Sequence, residues 1–529
     1  MRASPHPRRL ILIFCSYRFR WVICQLKALQ DCFPSSLRRT LDQLPKSLDE
    51  TYVRVLRQTP QANQAHAHRM LQCLMVAVRP VHVEELAELL AFEFDDAQGG
   101  IPKYRRAWQL DDQTQAVLST CSSLVTIVDN GHRGQIVQFS HFSVKEFLMS
   151  NRLGDFSRYH IHPLSAHTIL TQACLGVLLH LGDHKNFDGF PLAQYAARYW
   201  VEHAKFEGVA SRVKDGIETL FDSEKPHLAA WVRIYDIDKP NEYWHRPNTK
   251  PNPLYYAVLC GFHDLVKHLA IKHPRHVNAI HGTNQFPLLA ALREDHFEIA
   301  ELLLEHGADV DVRGRNGKTI LLTVLSRPPD NLVNIVKFLL KHGADVNARD
   351  DDLRVSLHLA EYTGQLEVAE MLIGHNADIN SQDIMGKTPL HLLLEDSLSE
   401  DLLSEGRPDY LTKDDILNHV WLLLEHDAEV NRRDNCNRTP LLLAMRRAWF
   451  ELAWVLLEHG ADPNAENNNG ETPLQILSER QIYDKYDIGD DLSYRRLWAE
   501  HGAEVNRRYE GNETPLLLEI GTMMYQFRV

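Results

Sequence analysis

The sequence predicts a mostly helical protein whose C-terminal half is a stack of short helix-pair units. The first observation behind that expectation is a phrase written six times: His306-Gly-Ala-Asp, His342-Gly-Ala-Asp, His375-Asn-Ala-Asp, His426-Asp-Ala-Glu, His459-Gly-Ala-Asp and His501-Gly-Ala-Glu. Counted from His273, a weaker copy, the histidines are 33, 36, 33, 51, 33 and 42 residues apart, which is one 33-residue period with insertions of 3, 18 and 9. The second observation is a companion phrase 20 residues upstream: Phe286-Pro-Leu, Val355-Ser-Leu and Thr439-Pro-Leu. Thr319-Ile-Leu, Thr388-Pro-Leu and Thr472-Pro-Leu repeat it, displaced further only by the insertions. Self-similarity at this period implies units that cannot bury an apolar face alone and do so by stacking.

Before the repeats, residues 36–94 read as amphipathic helices, with Leu41, Leu44, Leu48, Tyr52, Val55 and Leu56 at helical spacing. Met70 to Val78 and Val83 to Phe92 continue the pattern, and Gln113 to Thr120 adds a short helix. Ser123 to Asp129 and Gln135 to Ser140 are strand-like runs around Asn130-Gly131-His132-Arg133-Gly134, a hairpin signal. Helices followed by a two-stranded wing predict a winged-helix module. The helix that would enter a DNA groove, Gln113-Thr-Gln-Ala-Val-Leu-Ser-Thr-Cys, has no Lys or Arg, which favours a module that packs against protein. Ile169 to Leu181 is too short to span a bilayer and reads as a buried helix. Leu10 to Tyr17 lies behind Arg8 and Arg9 like a signal peptide, yet Arg18 and Arg20 interrupt it and no small-residue cleavage site follows.

Within one repeat, Thr388 followed by Pro389 is a helix N-cap and first-turn pair: the hydroxyl accepts an orphan N–H and proline lacks one. A second helix carries the leucine-rich run before each histidine and stops at Gly307, Gly343, Asn376, Asp427, Gly460 or Gly502. Only Gly, Asn and Asp occur there, the residues that tolerate the left-handed conformation at a helix end. The polar residues between one stop and the next companion phrase form a protruding hairpin. The insertions at about Arg327 to Asn331, Glu395 to Lys413 and Glu479 to Asp491 fall between the two helices of a unit, on the side opposite the hairpin tips.

The intact phrases Thr388-Pro-Leu-His391 and Leu302-Leu-Leu-Glu-His-Gly-Ala-Asp309 resemble the ankyrin repeat over residues 251–529, about eight units with a degenerate first near Pro253 and an incomplete last at Thr514. A second resemblance lies upstream. Phe19-Arg-Trp-Val-Ile-Cys-Gln-Leu, Leu41-Asp-Gln-Leu-Pro-Lys-Ser-Leu-Asp-Glu-Thr-Tyr and Phe139-Ser-His-Phe-Ser-Val-Lys-Glu-Phe-Leu look like the segment after the NACHT nucleotide-binding domain of fungal NACHT-ankyrin proteins, the signal-transducing NTPase class. Pro191-Leu-Ala-Gln-Tyr-Ala-Ala-Arg-Tyr-Trp is similar to the helical connector of the same proteins. The implied order is an unmatched start and the tail of a NACHT-like segment over 1–31, a winged-helix module over 32–154, a connector over 155–250, then the ankyrin-repeat solenoid. The family's NTPase precedes Phe19, and no G-x-x-x-x-G-K-[ST] occurs in the chain. Gly317-Lys-Thr and Gly386-Lys-Thr end like one, but Val312 and Ser381 stand where its first glycine belongs. The expectation is a truncated gene or an incorrect start site.

Residues 251–529 carry 27 Lys and Arg against 45 Asp and Glu, so the repeat half is acidic and a poor ligand for phosphate backbones. Eight cysteines without a C-x-x-C pair fit a reducing, intracellular setting, most simply the cytoplasm. The 29 histidines are mostly repeat residues, and His180, His184, His273 and His276 have no cysteine or carboxylate at ligand spacing, so neither metal nor cofactor is expected. No G-x-S-x-G, H-E-x-x-H or placed Cys/His pair occurs, so no enzymatic role is expected. The leading expectation is a protein-interaction scaffold or sensor with an acidic repeat surface. The candidate contact residues are hairpin tips: Arg313, Arg315 and Asn316, then Asp351 and Asp352, Gln382 and Asp383, Arg433 and Asp434, Asn467 and Asn468. Protein partners are expected, a full-length NACHT relative among them, and neither nucleic acid nor membrane. The rivals are the sensing part of an ATP-switched receptor and a winged-helix nucleic-acid regulator.

Overall fold

In the computed structural model, residues 47–94, 100–131, 134–183, 187, 189–239, 250–395, 412–447, 449–479, 498 and 501–503 are described. The Phe19 phrase, the leucines before residue 47, most of the two longer insertions and the unit from Thr514 lie outside them. The chain divides into two compact units, Met1–Leu269 and Ala270–Val529.

The first unit begins with α1 (Leu48–Gln58), capped by the Ser47 hydroxyl, and α2 (Gln64–Val76). A three-stranded antiparallel sheet follows in the order β1-β5-β4, from Val81–His82, Gln135–Phe139 and Val125–Asp129. β4 and β5 form the expected hairpin, with Ile127 opposite Val137. Its turn needs positive φ at Gly131 and Gly134, and the Asn130 N–H donates to the Gly134 carbonyl over 3.0 Å. α3 (Val83–Ala87) ends earlier than the apolar spacing predicts, because residues 88–91 tighten into a 3-10 turn and Phe92–Glu93 becomes β2, paired with Lys103–Tyr104 as β3. Two-residue strands have no alternation for a sequence to display. α4 (Gln113–Cys121) and α5 (Phe142–Leu148) flank the hairpin, and α4 buries Ala116, Val117, Thr120 and Cys121.

The connector is built around α6 (Pro163–His180), whose middle is buried on all sides. α7 (Leu192–Ala204) packs along it, followed by α8 (Val209–Arg212), α9 (Lys214–Leu220) and α10 (His227–Ile234). A buried carboxylate joins connector to winged helix: Glu88 accepts the N–H of Leu192 at the start of α7 over 2.6 Å, and burial pushes its pKa up to about 7. The first repeat helix, α11 (Pro253–Cys260), shares the connector's core. Trp200 lies 5.3 Å from Trp231 and 5.5 Å from Phe262, and Trp231 lies 6.2 Å from Tyr256. The Tyr256 hydroxyl donates to Asp236 over 2.9 Å. α12 (His263–Lys272) completes that repeat.

The second unit is a run of helix pairs. α13 (Pro287–Arg293) and α14 (Phe297–Glu305), α15 (Ile320–Ser326) and α16 (Leu332–Lys341), α17 (Ser356–Thr363) and α18 (Leu366–Gly374) form the next three. α19 (Pro389–Leu394) with α20 (Lys413–Glu425) and α21 (Pro440–Arg446) with α22 (Phe450–Glu458) follow, then α23 (Pro473–Glu479) opens the seventh. First helices pack on first helices and second on second, with Leu321, Leu357, Leu393 and Leu441 fully buried between them. Thr319 and Thr439 accept the N–H of Leu322 and Leu442 as N-caps. Thr388 shares its cap with His391. Arg327 to Asn331 lies between α15 and α16, as expected.

All six stop residues have positive φ, from 63° at Asn376 to 89° at Gly307. The histidine beside each donates from Nδ1 to the carbonyl four residues back at His306, His375, His426 and His459, at 2.8 to 2.9 Å. A Cβ at Gly343 would meet nothing within 4 Å, so a side chain there is opposed by backbone strain alone. Gly343→Val is expected to destabilise the array by roughly 1–2 kcal/mol. Denaturant unfolding checks this, and an unchanged midpoint would contradict the left-handed role.

Candidate protein-interaction surface

The hairpins between units are held by one recurring arrangement. Asp350, Asp383, Asp434 and Asn467 occupy the same place in successive hairpins, and each carbonyl oxygen or carboxylate accepts two N–H groups of its own turn. For Asp434 the donors are Cys436 at 2.9 Å and Arg438 at 2.7 Å. Asp434 and Asp350 are buried, and each also pairs with the arginine four residues on. Such side-chain turns stand in for backbone hydrogen bonds and fix the tip's shape.

Consecutive tips are then joined edge to edge. The N–H groups of Asp351, Ile384, Asn435 and Asn468 donate to the carbonyls of Asn316, Asp352, Met385 and Cys436, at 3.1, 2.9, 2.9 and 3.2 Å. Side chains repeat the link one residue before the turn: Arg313 donates to the Arg349 carbonyl, Arg349 to Gln382, Gln382 to Arg433 and Arg433 to Glu466. The result is a continuous rim.

The rim sorts the eleven candidate residues. Arg313, Gln382 and Arg433 tie one tip to the next, and Asp383, Asp434 and Asn467 hold their own turns. Asp352 pairs with Arg354, and Asn468 lies on the tip-to-tip link. Arg315, Asn316 and Asp351 are exposed at the tip itself. The exposed apolar residues of the rim were not singled out from sequence. Leu353, Ile384 and Met385 are 43%, 55% and 44% exposed on two adjoining tips, an apolar patch beside Asp351 and Asp352. Their signal is two apolar residues inside Asp383-Ile-Met-Gly386, where polar residues are the rule.

Inward of the rim lies a groove of about 590 Å³, between Cys436, Arg438, Leu442 and Arg446 of one repeat and Asn468, Glu471 and Ile476 of the next. Two arginines line it although the repeat half is acidic overall. At its back the charges are fixed: Arg438 pairs with Asp434 at 2.6 Å and Glu395 at 3.5 Å, and Lys387 holds the other oxygen of Glu395 at 2.7 Å.

A further set of residues escaped the sequence reading although its signal was in plain sight. The residue five after each phrase histidine from His273 to His459 is Asn278, Asp311, Asn347, Asn380, Asn431 or Asn464. Each asparagine amide donates to the carbonyl of the next unit's stop residue, as Asn347 does to Asn376 over 3.0 Å. Asn278, Asn347, Asn380 and Asn431 also accept an N–H two residues beyond that stop, at 2.7 to 2.9 Å. Asp311 lacks the amide and keeps only the accepting half.

His358 and His391 join the inner helices in the same manner. Nδ1 accepts the N–H three residues back, and Nε2–H donates 3.0 Å to the carbonyl of Lys387 or Arg438 in the next unit. Burial lowers the pKa of both, that of His358 to about 4. A folded-state value below the unfolded 6.5 leaves stability untouched above pH 6.5 and removes it as pH falls toward 4, by at most about 3 kcal/mol for one site. His358→Gln is therefore expected to flatten the stability profile between those two pH values. Equal slopes for variant and parent would contradict a buried neutral imidazole.

Comparison with known proteins agrees with this architecture. Residues 56–159 match the profile described as the winged helix domain of GPI inositol-deacylase, and 228–314, 254–350, 310–383, 330–401 and 411–488 match ankyrin repeats. Ankyrin repeats thus lie C-terminal to a winged-helix domain in this chain. The azaphilone pigments biosynthesis cluster protein L of Monascus ruber is 31% identical over 295 residues, 51% of this chain and 61% of that protein. The ankyrin repeat and SAM domain-containing protein 6 of Mus musculus is 32% identical over 100 residues, 18% of this chain and 11% of its own length. The chain thus spans less than two thirds of either relative. Among solved structures, the ankyrin repeat domain of Bcl-3, a member of the IkappaB family, is 26% identical over 44% of this chain and 97% of that one, with a TM-score of 0.36. No helix among the described residues is long and apolar enough to cross a membrane.

Proposed function

We propose that the protein is an interaction scaffold that receives a protein partner along the rim and the groove inside it. Ankyrin repeats imply protein-protein interaction, and the observation that supports the rim as its place is the apolar patch of Leu353, Ile384 and Met385 on a rim whose backbone is fixed. An exposed apolar group on a preorganised surface offers burial energy with little ordering cost. Asp351 and Arg315 flank the patch as selecting charges, and the groove between Arg438, Arg446 and Glu471 takes polar groups of the same partner. No catalytic step and no cofactor enter this proposal, and the setting is intracellular.

A partner captured by the full chain is expected to bind the double variant Leu353→Ser, Met385→Ser about tenfold or more weakly, since two buried apolar contacts are lost. Retained affinity would place the contact elsewhere. The melting midpoint of the variant should stay unchanged, because both side chains face solvent.

A more specific reading is that the chain is the sensing part of an ATP-switched receptor. The contacts running from the winged helix through the connector into α11 support it: packed aromatic side chains join the first repeat to the connector, and the Glu88–Leu192 hydrogen bond joins the connector to the winged helix. Full-length sequencing of the native transcript is expected to find a contiguous G-x-x-x-x-G-K-[ST] reading frame upstream of Met1. A transcript that starts at Met1 would leave the scaffold reading alone.

A further inference from the structure

The outer helices present a second surface, independent of the rim. The residue five before each phrase histidine from His306 to His459 faces outward, and in order it is Glu301, Lys337, Glu370, Trp421 and Trp454. In the earlier repeats this face closes on itself through ion pairs between neighbouring outer helices. Lys341 meets Glu301 at 3.0 Å, and Lys337 meets Glu367 at 3.1 Å. In α20 and α22 the pattern changes. Trp421 is 37% exposed and Trp454 45% exposed, at equivalent positions of adjoining helices.

Each indole has carboxylates one turn away on its own face: Glu425 beside Trp421, and Glu451 and Glu458 on either side of Trp454. Among the described residues these three glutamates have no ion-pair partner. The Trp421 ring meets the His459 ring edge-on at 5.3 Å, which steadies it toward the next repeat. An exposed indole attracts cations over its face, and a carboxylate a turn away adds a charge-assisted hydrogen bond. An apolar segment without charge would desolvate the glutamates unpaired, and a polyanion would be repelled.

We infer that the Trp421 and Trp454 face docks a basic segment of a partner protein. Adjacent helices lie about 10 Å apart, a distance spanned by about three residues of polyproline II chain, whose side chains return to one face every third residue. The segment therefore carries arginine at every third position, each guanidinium lying on one indole and reaching one glutamate. This site lies on the outer helices, away from the rim.

The test is fluorescence anisotropy of a labelled peptide with arginine at every third residue and serine or leucine between, titrated with the full chain. Parent protein is expected to bind it in a salt-sensitive manner. Trp421→Ala with Trp454→Ala should weaken binding about tenfold or more. Glu425→Gln with Glu458→Gln should weaken it also, and a peptide with glutamate in place of arginine should not bind. Leu353→Ser with Met385→Ser should leave it unchanged, which separates this site from the rim. Equal binding by the tryptophan variant would show diffuse attraction to an acidic surface and overturn the inference. Absent binding to the parent, loss only in the rim variant, or a parent dimer that the tryptophan changes dissociate would overturn it too.

Discussion

The array rests on one backbone conformation. At the end of each outer helix after the first repeat the chain turns in the left-handed region, where only Gly, Asn or Asp is accepted at low cost. That turn exposes a carbonyl and an N–H to the preceding unit, and an asparagine there takes both. The register between units is therefore set by a pair of hydrogen bonds at one point. Everything outward of it, including the hairpin and its bond to the previous tip, inherits that register.

The insertions show how local the constraint is. Asn380 reaches Asp427 across 47 residues with the same geometry that Asn347 has with Asn376 across 29. The 18-residue insertion leaves from Glu395, whose carboxylate is gripped by Lys387 and Arg438 in a part-buried network. Farther in, His419 of α20 meets Glu361 of α17 at 2.6 Å, both almost wholly buried. Removing one partner of a buried hydrogen-bonded pair leaves the other stranded, so the pair penalises any other stacking. Extra chain is tolerated because loop closure costs rise slowly with length while the fixed points stay paired.

The first repeat is held differently. Its inner helix carries Tyr255 and Tyr256 where the units from the Phe286 phrase to the Thr439 phrase carry leucine, histidine, alanine or threonine, and Tyr256 meets Trp231, which itself packs against Trp200 and Phe221 of the connector. A terminal unit of a stack needs a partner for its open face, and here the connector provides one. Degeneracy of the Pro253 phrase is thus a packing adaptation, with Asp236 and Asp238 satisfying the tyrosine hydroxyls.

Much of this was legible in the sequence. The 33-residue period, the Thr-Pro caps, the left-handed stops and the β4–β5 hairpin are local, because each depends on residues within a few positions of one another. The tip residues lie in the hairpins between units, where Asp383, Asp434 and Asn467 hold turns and Arg313, Gln382 and Arg433 tie tips together. A carboxylate facing solvent and one accepting two backbone N–H groups have the same letter in a sequence. Short strands β1, β2 and β3 were invisible for a like reason, since two residues carry no periodicity. Which exposed side chains share a face was decided only by tertiary structure. Leu353 and Ile384, or Trp421 and Trp454, lie about thirty residues apart along the chain, and stacking of whole repeats alone brings them side by side.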